Sequence, residues 1–140
     1  MHYVDTSVLV AYFVPEIYSA NAETALRDSR RYPLALSEWT ATEFVSALGI
    51  KCRTGQLNEA QSLSVQRKFK ALTDFFEWLP VETEDFRQAH DWLGNWRLGL
   101  RSGDALHLAI SHRSCHVLIT LDDLLARAAG TLQIPAELIR

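Results

Sequence analysis

The sequence predicts an α/β fold, a mostly parallel sheet with helices on both faces. Three observations carry that prediction. Strand-like and helix-like segments alternate from one end of the chain to the other. Val117-Leu118-Ile119 is an unbroken run of branched apolar residues, as expected of a strand covered on both faces. The 140 residues hold no repeat, no low-complexity tract and no Gly/Ser linker, so they fit one domain, 1–140, long enough to bury a core.

Taken in order, His2 to Val4 is a short hydrophobic run that reads as a first strand and ends on Asp5-Thr6-Ser7. Ser7 to Phe13 predicts a helix stopped by Pro15, and Ile17 to Leu26 a second, kept slim by Ala20, Ala22 and Ala25. Pro33 to Ser37 predicts a second strand. From Glu38 to about Ile50, Ala41, Phe44, Val45 and Leu48 fall at helical spacing, which places Phe44 and Val45 toward the core. Asn58 can cap a long helix, Gln61 completes a capping box three residues on, and Val65, Phe69, Leu72 and Phe76 form the buried stripe. Trp78 to Glu82 predicts a third strand, at a sheet edge because Pro80 has no N–H to give. Thr83 is expected to cap the next helix, with Glu84 and Asp85 in its first turn, the charge that the helix dipole favours there. Ser102 opens a further helix to about His112. After the 117–119 strand, a last helix is expected from Asp122 to Ala129, ending at Gly130, and a short strand over Leu132 to Ile134.

Composition narrows the class of protein. Hydrophobic residues make up 48% and charged residues 22%, the balance of a folded chain. A formal charge of -3 argues against a protein that simply coats nucleic acid. Cys52 and Cys115 are too few for a disulfide framework or a thiolate zinc site and read as free thiols. No stretch has the length of a membrane span, and no basic region precedes the first apolar run as in a signal peptide. The expectation is a soluble cytoplasmic protein with no membrane partner.

In a parallel sheet, ligands bind at the carboxyl ends of the strands. Asp5 ends the first strand and Asp122 follows the 117–119 strand, so the topology puts both on that edge. Glu43, in the helix after the second strand, and Asp104, in the first turn of the helix that Ser102 opens, can reach it if their helices pack as the alternation implies. Each acid alone has a structural explanation: a turn or cap for Asp5 and again for Asp122, dipole complement for Asp104, a face boundary for Glu43. Together they need four such explanations. Thr120 and Asp123 have the spacing of a capping box, which would leave Asp122 free to face the site. Clustered carboxylates repel and raise one another's pKa unless they are protonated or neutralised, and a hard divalent cation such as Mg²⁺ or Mn²⁺ neutralises them with oxygen ligands. Such an ion can ionise a bound water and offset charge on a phosphodiester under attack.

The segments YVDTSVLV, ATEFVSAL around Glu43, SGDALHLAIS around Asp104 and LITLDDLLARAA around Asp122 together resemble the PIN-domain ribonucleases, and within them the VapC toxins of bacterial toxin–antitoxin pairs. The resemblance covers nearly the whole chain. It implies a three-layer α/β/α sandwich and Mg²⁺- or Mn²⁺-dependent endonucleolytic cleavage of RNA. It also implies catalytic acids Asp5, Glu43, Asp104 and Asp122, with Asp5 and Asp104 as the principal metal ligands and Glu43 and Asp122 supporting. Thr6 or Ser7 would be a polar neighbour of the ligand or of water. The protein would be a homodimer held in check by a small antitoxin.

Basic residues are not spread evenly. Lys51, Arg53, Arg67, Lys68 and Lys70 could hold phosphates or be solvated faces, and Arg67, Lys68 and Lys70 read better as the latter, whereas Arg97 and Arg101 lead into Asp104 and are the better candidate RNA contacts. His107, three residues after Asp104, can share its face, either as an acid, base or ligand or as a packed hydrogen-bonded residue. Trp39, Trp92 and Trp96 could stack bases, though Trp92 and Trp96, four apart, read better as an anchor in the core or a dimer contact. Two other functions fit the acids: a phosphatase with Asp5 as nucleophile, or a non-catalytic interaction domain binding a structural ion. The phosphatase reading wants a second acid two residues after Asp5, where this chain has Ser7.

Overall fold

The computed structural model describes residues 1–114 and 116–140. The described residues form β1 (His2–Val4), α1 (Thr6–Phe13), α2 (Ser19–Arg27), β2 (Leu34–Ser37), α3 (Glu38–Arg53), α4 (Glu59–Thr73), β3 (Glu77–Leu79), α5 (Thr83–Leu93), α6 (Ser102–Arg113), β4 (Val117–Thr120), α7 (Asp123–Thr131) and β5 (Ala136–Leu138). Single 3-10 turns sit at Ser29–Arg31 and Trp96–Leu98. The five strands pair in parallel in the order β3-β2-β1-β4-β5.

Strand parity builds the three layers. Successive side chains of a strand point to opposite faces. Val4, Leu34, Leu36 and Ile119 therefore join Phe44, Leu48, Val65 and Phe69, from α3 and α4, in one core. Tyr3, Ala35 and Leu118 join Leu108, Ile110 and Leu125, from α6 and α7, in the other. Tyr3 is in register with Ala35 on one side and Leu118 on the other, so this face is continuous across three strands. Phe44 and Phe69 stack at 4.2 Å between centroids and lock α3 to α4.

Local signals explain most element starts. Asn58 and Gln61 exchange the reciprocal capping bonds at 2.8 and 2.9 Å. Ser37 and Thr40 cap α3 in the same way. β3 lies at the sheet edge as expected, but it stops at Leu79, and the proline follows it.

Several boundaries differ from the sequence expectation, each for a physical reason. The residue before α5 is Glu82; Thr83 is already helical, and the Asp85 carboxylate accepts the Glu82 N–H at 2.8 Å. Val45 is 48% exposed, because α3 turns only the Phe44 and Leu48 line inward. Gly130 lies inside α7; the left-handed residue past the end is Gln133, at φ 58°. The final strand is Ala136–Leu138 rather than 132–134, and Ile134 packs in the second core. Trp92 is half-buried against that core, whereas Trp96 is 76% exposed with the Arg97 guanidinium 4.8 Å over its ring. Cys52 is a free, half-buried thiol, and the reading of Cys115 lies outside the described residues. Among the described residues no helix is long and apolar enough to cross a membrane.

Candidate active site

The chain steps from β1 outward to β2 and β3, then returns to the other side of β1 as β4. The carboxyl ends of β1 and β4 thus flank the point where strand order reverses, the place where open α/β sheets bind ligands. A cleft of about 330 Å³ opens there, and its walls carry Asp5, Glu43, Asp104 and Asp122 together with Thr6, Ser7, Arg101 and His107. All four acids singled out from the sequence are on this one cleft. Of the two candidate arginines, Arg101 lines it and Arg97 does not.

Asp5 is the deepest of the four, 3% exposed. It caps α1, with Oδ1 accepting the Val8 N–H at 3.3 Å and the Ser7 hydroxyl at 2.5 Å. Its Oδ2 accepts the Thr120 hydroxyl at 2.6 Å. Burial pushes its pKa up against the opposing effect of these bonds and of His107. Every hydrogen-bond donor on Asp5 is neutral. A carboxylate held on both oxygens in this way is a poor free nucleophile, which weighs against the phosphatase reading.

Asp122 is the N-cap of α7. Its Oδ1 accepts the N–H groups of Leu124 and Leu125 at 2.9 and 3.1 Å. The expected Thr120–Asp123 capping box is absent. Thr120 turns its hydroxyl to Asp5 instead, and Asp123 pairs with Arg127 at 2.7 Å. Asp122 caps the helix with one oxygen and still reaches the cleft with the other: its Oδ2 lies 3.8 Å from Arg101 Nη2. Arg101 Nε is 3.6 Å from Asp104 Oδ2, so one exposed guanidinium straddles the two acids.

Asp104 projects from the first turn of α6. Burial, then repulsion from Asp122 and Asp5, lifts its pKa to about 6, in spite of Arg101. Glu43 comes from the middle of α3. Half-burial pushes its pKa up, but hydrogen bonds from His107 and Thr6 outweigh that and hold it below the usual carboxylate value. The Thr6 hydroxyl donates to Glu43 Oε1 at 2.7 Å, and His107 Nε2 meets the same oxygen. His107 is 1% exposed.

These groups suit a hard divalent cation by chemistry: carboxylate oxygens from four segments, two hydroxyls, and a repulsion among Asp104, Asp122 and Asp5 that their surroundings do not cancel. As the side chains stand, no three His, Cys, Asp or Glu groups among the described residues are close enough to share one ion. Asp104 and Asp122 lean instead toward Arg101. Sequence reasoning missed Thr120, Tyr3, which bonds the far side of His107, and Gly103. A signal existed for Gly103: glycine in a helix's first turn, beside a candidate ligand, needs a reason.

The PIN domain family matches the chain over residues 2–131. A search of curated proteins by sequence finds no significant match. Among solved structures, the chain is similar to FitAcB from Neisseria gonorrhoeae, at TM-score 0.74 and 14% identity over 97% of this chain and 96% of that one. It is similar to VapC20 from Mycobacterium tuberculosis, described as a sarcin–ricin loop cleaving toxin, at TM-score 0.73 and 16% identity over 91% and 95%. A toxin–antitoxin complex from Klebsiella pneumoniae aligns at TM-score 0.65 and 17% identity over 87% of each chain.

Proposed function

The chain belongs to the PIN-domain family, and on that footing we propose that it is a metal-dependent endoribonuclease, the toxin of a toxin–antitoxin pair, acting as one domain over residues 1–140 in the cytoplasm. The observation that carries the proposal is the convergence of Asp5, Glu43, Asp104 and Asp122, from four separate segments, on one cleft at the sheet's switch point. Asp5 and Asp104 would be the principal ligands of Mg²⁺ or Mn²⁺, with Glu43 and Asp122 supporting. A bound ion supplies a Lewis acid that ionises water and offsets charge on the phosphate.

The chain's own groups do the remaining work. Thr120 and Ser7 hold Asp5 still and aim it into the cleft. Thr6 does the same for Glu43. Arg101 is 80% exposed at the mouth and held by ion pairs of 3.6 Å and longer, so its guanidinium is free to leave the acids for an RNA phosphate. Arg97, on an exposed turn beside Trp96, would contact the strand farther from the cut. One similar structure is described as a toxin and another as a toxin–antitoxin complex, which supports a small antitoxin as partner. A homodimer and an RNA substrate complete the proposal.

RNA cleavage by the purified chain, with Mg²⁺ or Mn²⁺ and then with EDTA, tests it. Cleavage should stop with EDTA and return on adding metal. Metal-independent cleavage, or none on any RNA, would end the reading. Arg101→Ala should raise KM more than it lowers kcat, and Arg97→Ala should do so more weakly. The reverse order would remove Arg101 from the substrate path.

A further inference from the structure

Behind Glu43 a line of polar groups runs from the cleft into the second core. Tyr3, fully buried, places its hydroxyl 2.8 Å from Ser37 Oγ, 3.1 Å from Thr40 Oγ1 and 2.9 Å from His107 Nδ1. His107 Nε2 meets Glu43 Oε1 and stands 3.2 Å from the Thr6 hydroxyl. Tyr3, Ser37, Thr40 and His107 are buried, and a buried polar group without a partner is costly, so their protons must be arranged to satisfy all four.

Only one neutral arrangement does so well. Ser37 Oγ already accepts the Thr40 N–H, and Thr40 Oγ1 already accepts the Ser37 N–H. Each hydroxyl then has one proton to give, and the better placed acceptor for both is the Tyr3 oxygen, their mutual distance being 3.5 Å. Tyr3 must therefore give its own proton onward, and the acceptor left is His107 Nδ1. Burial pushes the Tyr3 pKa up, so it keeps the proton it donates. With Nδ1 accepting, neutral His107 carries its proton on Nε2, facing Glu43. The reverse tautomer would set a bare nitrogen lone pair against a carboxylate.

We propose that Tyr3, His107 and Gly103 form a positioning device for Glu43, in which Tyr3 fixes His107 as the Nε2–H tautomer, His107 holds Glu43 Oε1, and Gly103 leaves room for Oε2 beside Asp104. Gly103 matters because a Cβ there would lie 2.6 Å from Glu43 Oε2 and 3.4 Å from Trp39. Among the described residues no side chain or backbone N–H donates to that Oε2, so the device presents one free oxygen and anchors the other. α6 thus contributes Asp104 to the cleft and, through Gly103 and His107, also sets the acid that α3 contributes. The device rests on the ribonuclease reading only for its consequence; the proton arrangement stands without it.

Two measurements on the full chain test it. Long-range ¹H–¹⁵N NMR at a fixed pH near neutrality should show His107 Nδ1 as pyridine-like and Nε2 as pyrrole-like, with the single-tautomer pattern lost in Tyr3→Phe. A pyrrole-like Nδ1, or two protonated nitrogens, would overturn the arrangement even if the chain cleaves RNA. Cleavage then tests the consequence. His107→Leu, which keeps volume but donates nothing, should lose at least tenfold in kcat. His107→Gln, whose amide can donate near the Nε2 position, should recover a large part of that loss. Gly103→Ala should lower kcat about as much as His107→Leu with little change in Tm. If both His107 variants fold and cut equally poorly, the positioning role fails. Should His107→Leu not fold, Gly103→Ala decides alone, and parent-level kcat in it overturns the role. Absence of cleavage in the parent would defeat the ribonuclease reading and leave the NMR result to judge the device.

Discussion

Asp5 and Asp85 are both aspartates with almost no exposed surface, 3% and 1%, yet the protein treats them in opposite ways. Asp85 has its own cation. Arg113 Nε donates to its Oδ1 at 2.7 Å and Nη2 to its Oδ2 at 3.1 Å, and the Glu82 N–H completes the shell. The charge is cancelled inside the molecule, and the pair ties α5 to α6. Asp5 receives two hydroxyls and one N–H, all neutral. Asp104 beside it is repelled by both Asp5 and Asp122, and Arg101, which spans Asp104 and Asp122, is exposed and holds them loosely. A carboxylate with a built-in counter-ion is architecture. A buried carboxylate whose hydrogen bonds all come from neutral donors, as at Asp5, lacks that counter-ion, and this contrast is what the proposed metal site rests on.

The contrast can be broken from the structural side first. Arg113→Met should strand the Asp85 charge and cost about 3 kcal/mol of stability, the low end for breaking a buried pair because Arg113 is 32% exposed. Denaturant unfolding checks it. Adding Asp85→Asn to that variant should recover part of the loss, and cleavage by either should match its folded fraction.

Next comes the functional side. Asp104→Asn should cut kcat by roughly 10²–10³-fold, the scale of removing one preorganised electrostatic group. Single-turnover cleavage at saturating Mg²⁺ measures it, and parent-level cleavage would return Asp104 to the architectural class.

The smallest effect sharpens the distinction. Asp104 has its folded pKa raised to about 6 from 3.8, so keeping it ionised lowers stability above pH 6, and the penalty fades as pH falls from 6 toward 4. Asp104→Asn should therefore stabilise the metal-free protein, by about 1–2 kcal/mol at pH 7.5 once solvent screening discounts the full two-unit shift. The gain should vanish near pH 4. Tm in EDTA at the two pH values checks the sign. A variant less stable than the parent at pH 7.5 would mean that the acids are not in conflict.

How far the sequence alone reached differs between fold and site. The alternation of elements and the Asn58 cap were legible, because each depends on residues within a few positions of one another, whereas β3 is at the edge although the proline that suggested it lies past the strand. The end of α7 was not. Gly130 carries a local stop signal, yet the helix continues to Thr131, with Ala128 and Ala129 packed in the core. The placement of Asp5 and Asp122 on one edge followed from topology. The division of labour at Asp122, one oxygen capping α7 and one facing Arg101, did not, since the Thr120 hydroxyl that would have capped the helix is drawn 115 positions away to Asp5.

By itself the sequence determined the alternation that builds the layers and put Asp5 and Asp122 on one edge, because hydrophobic periodicity and turn chemistry act over short stretches of chain. Which groups share a proton, which acid goes without a cation and which glycine makes room for a carboxylate were decided only by the tertiary structure. Hydrogen bonds and charges act over a few ångströms of space, and Tyr3, Glu43 and His107 are brought within that range only when β1, α3 and α6 pack around the same sheet edge.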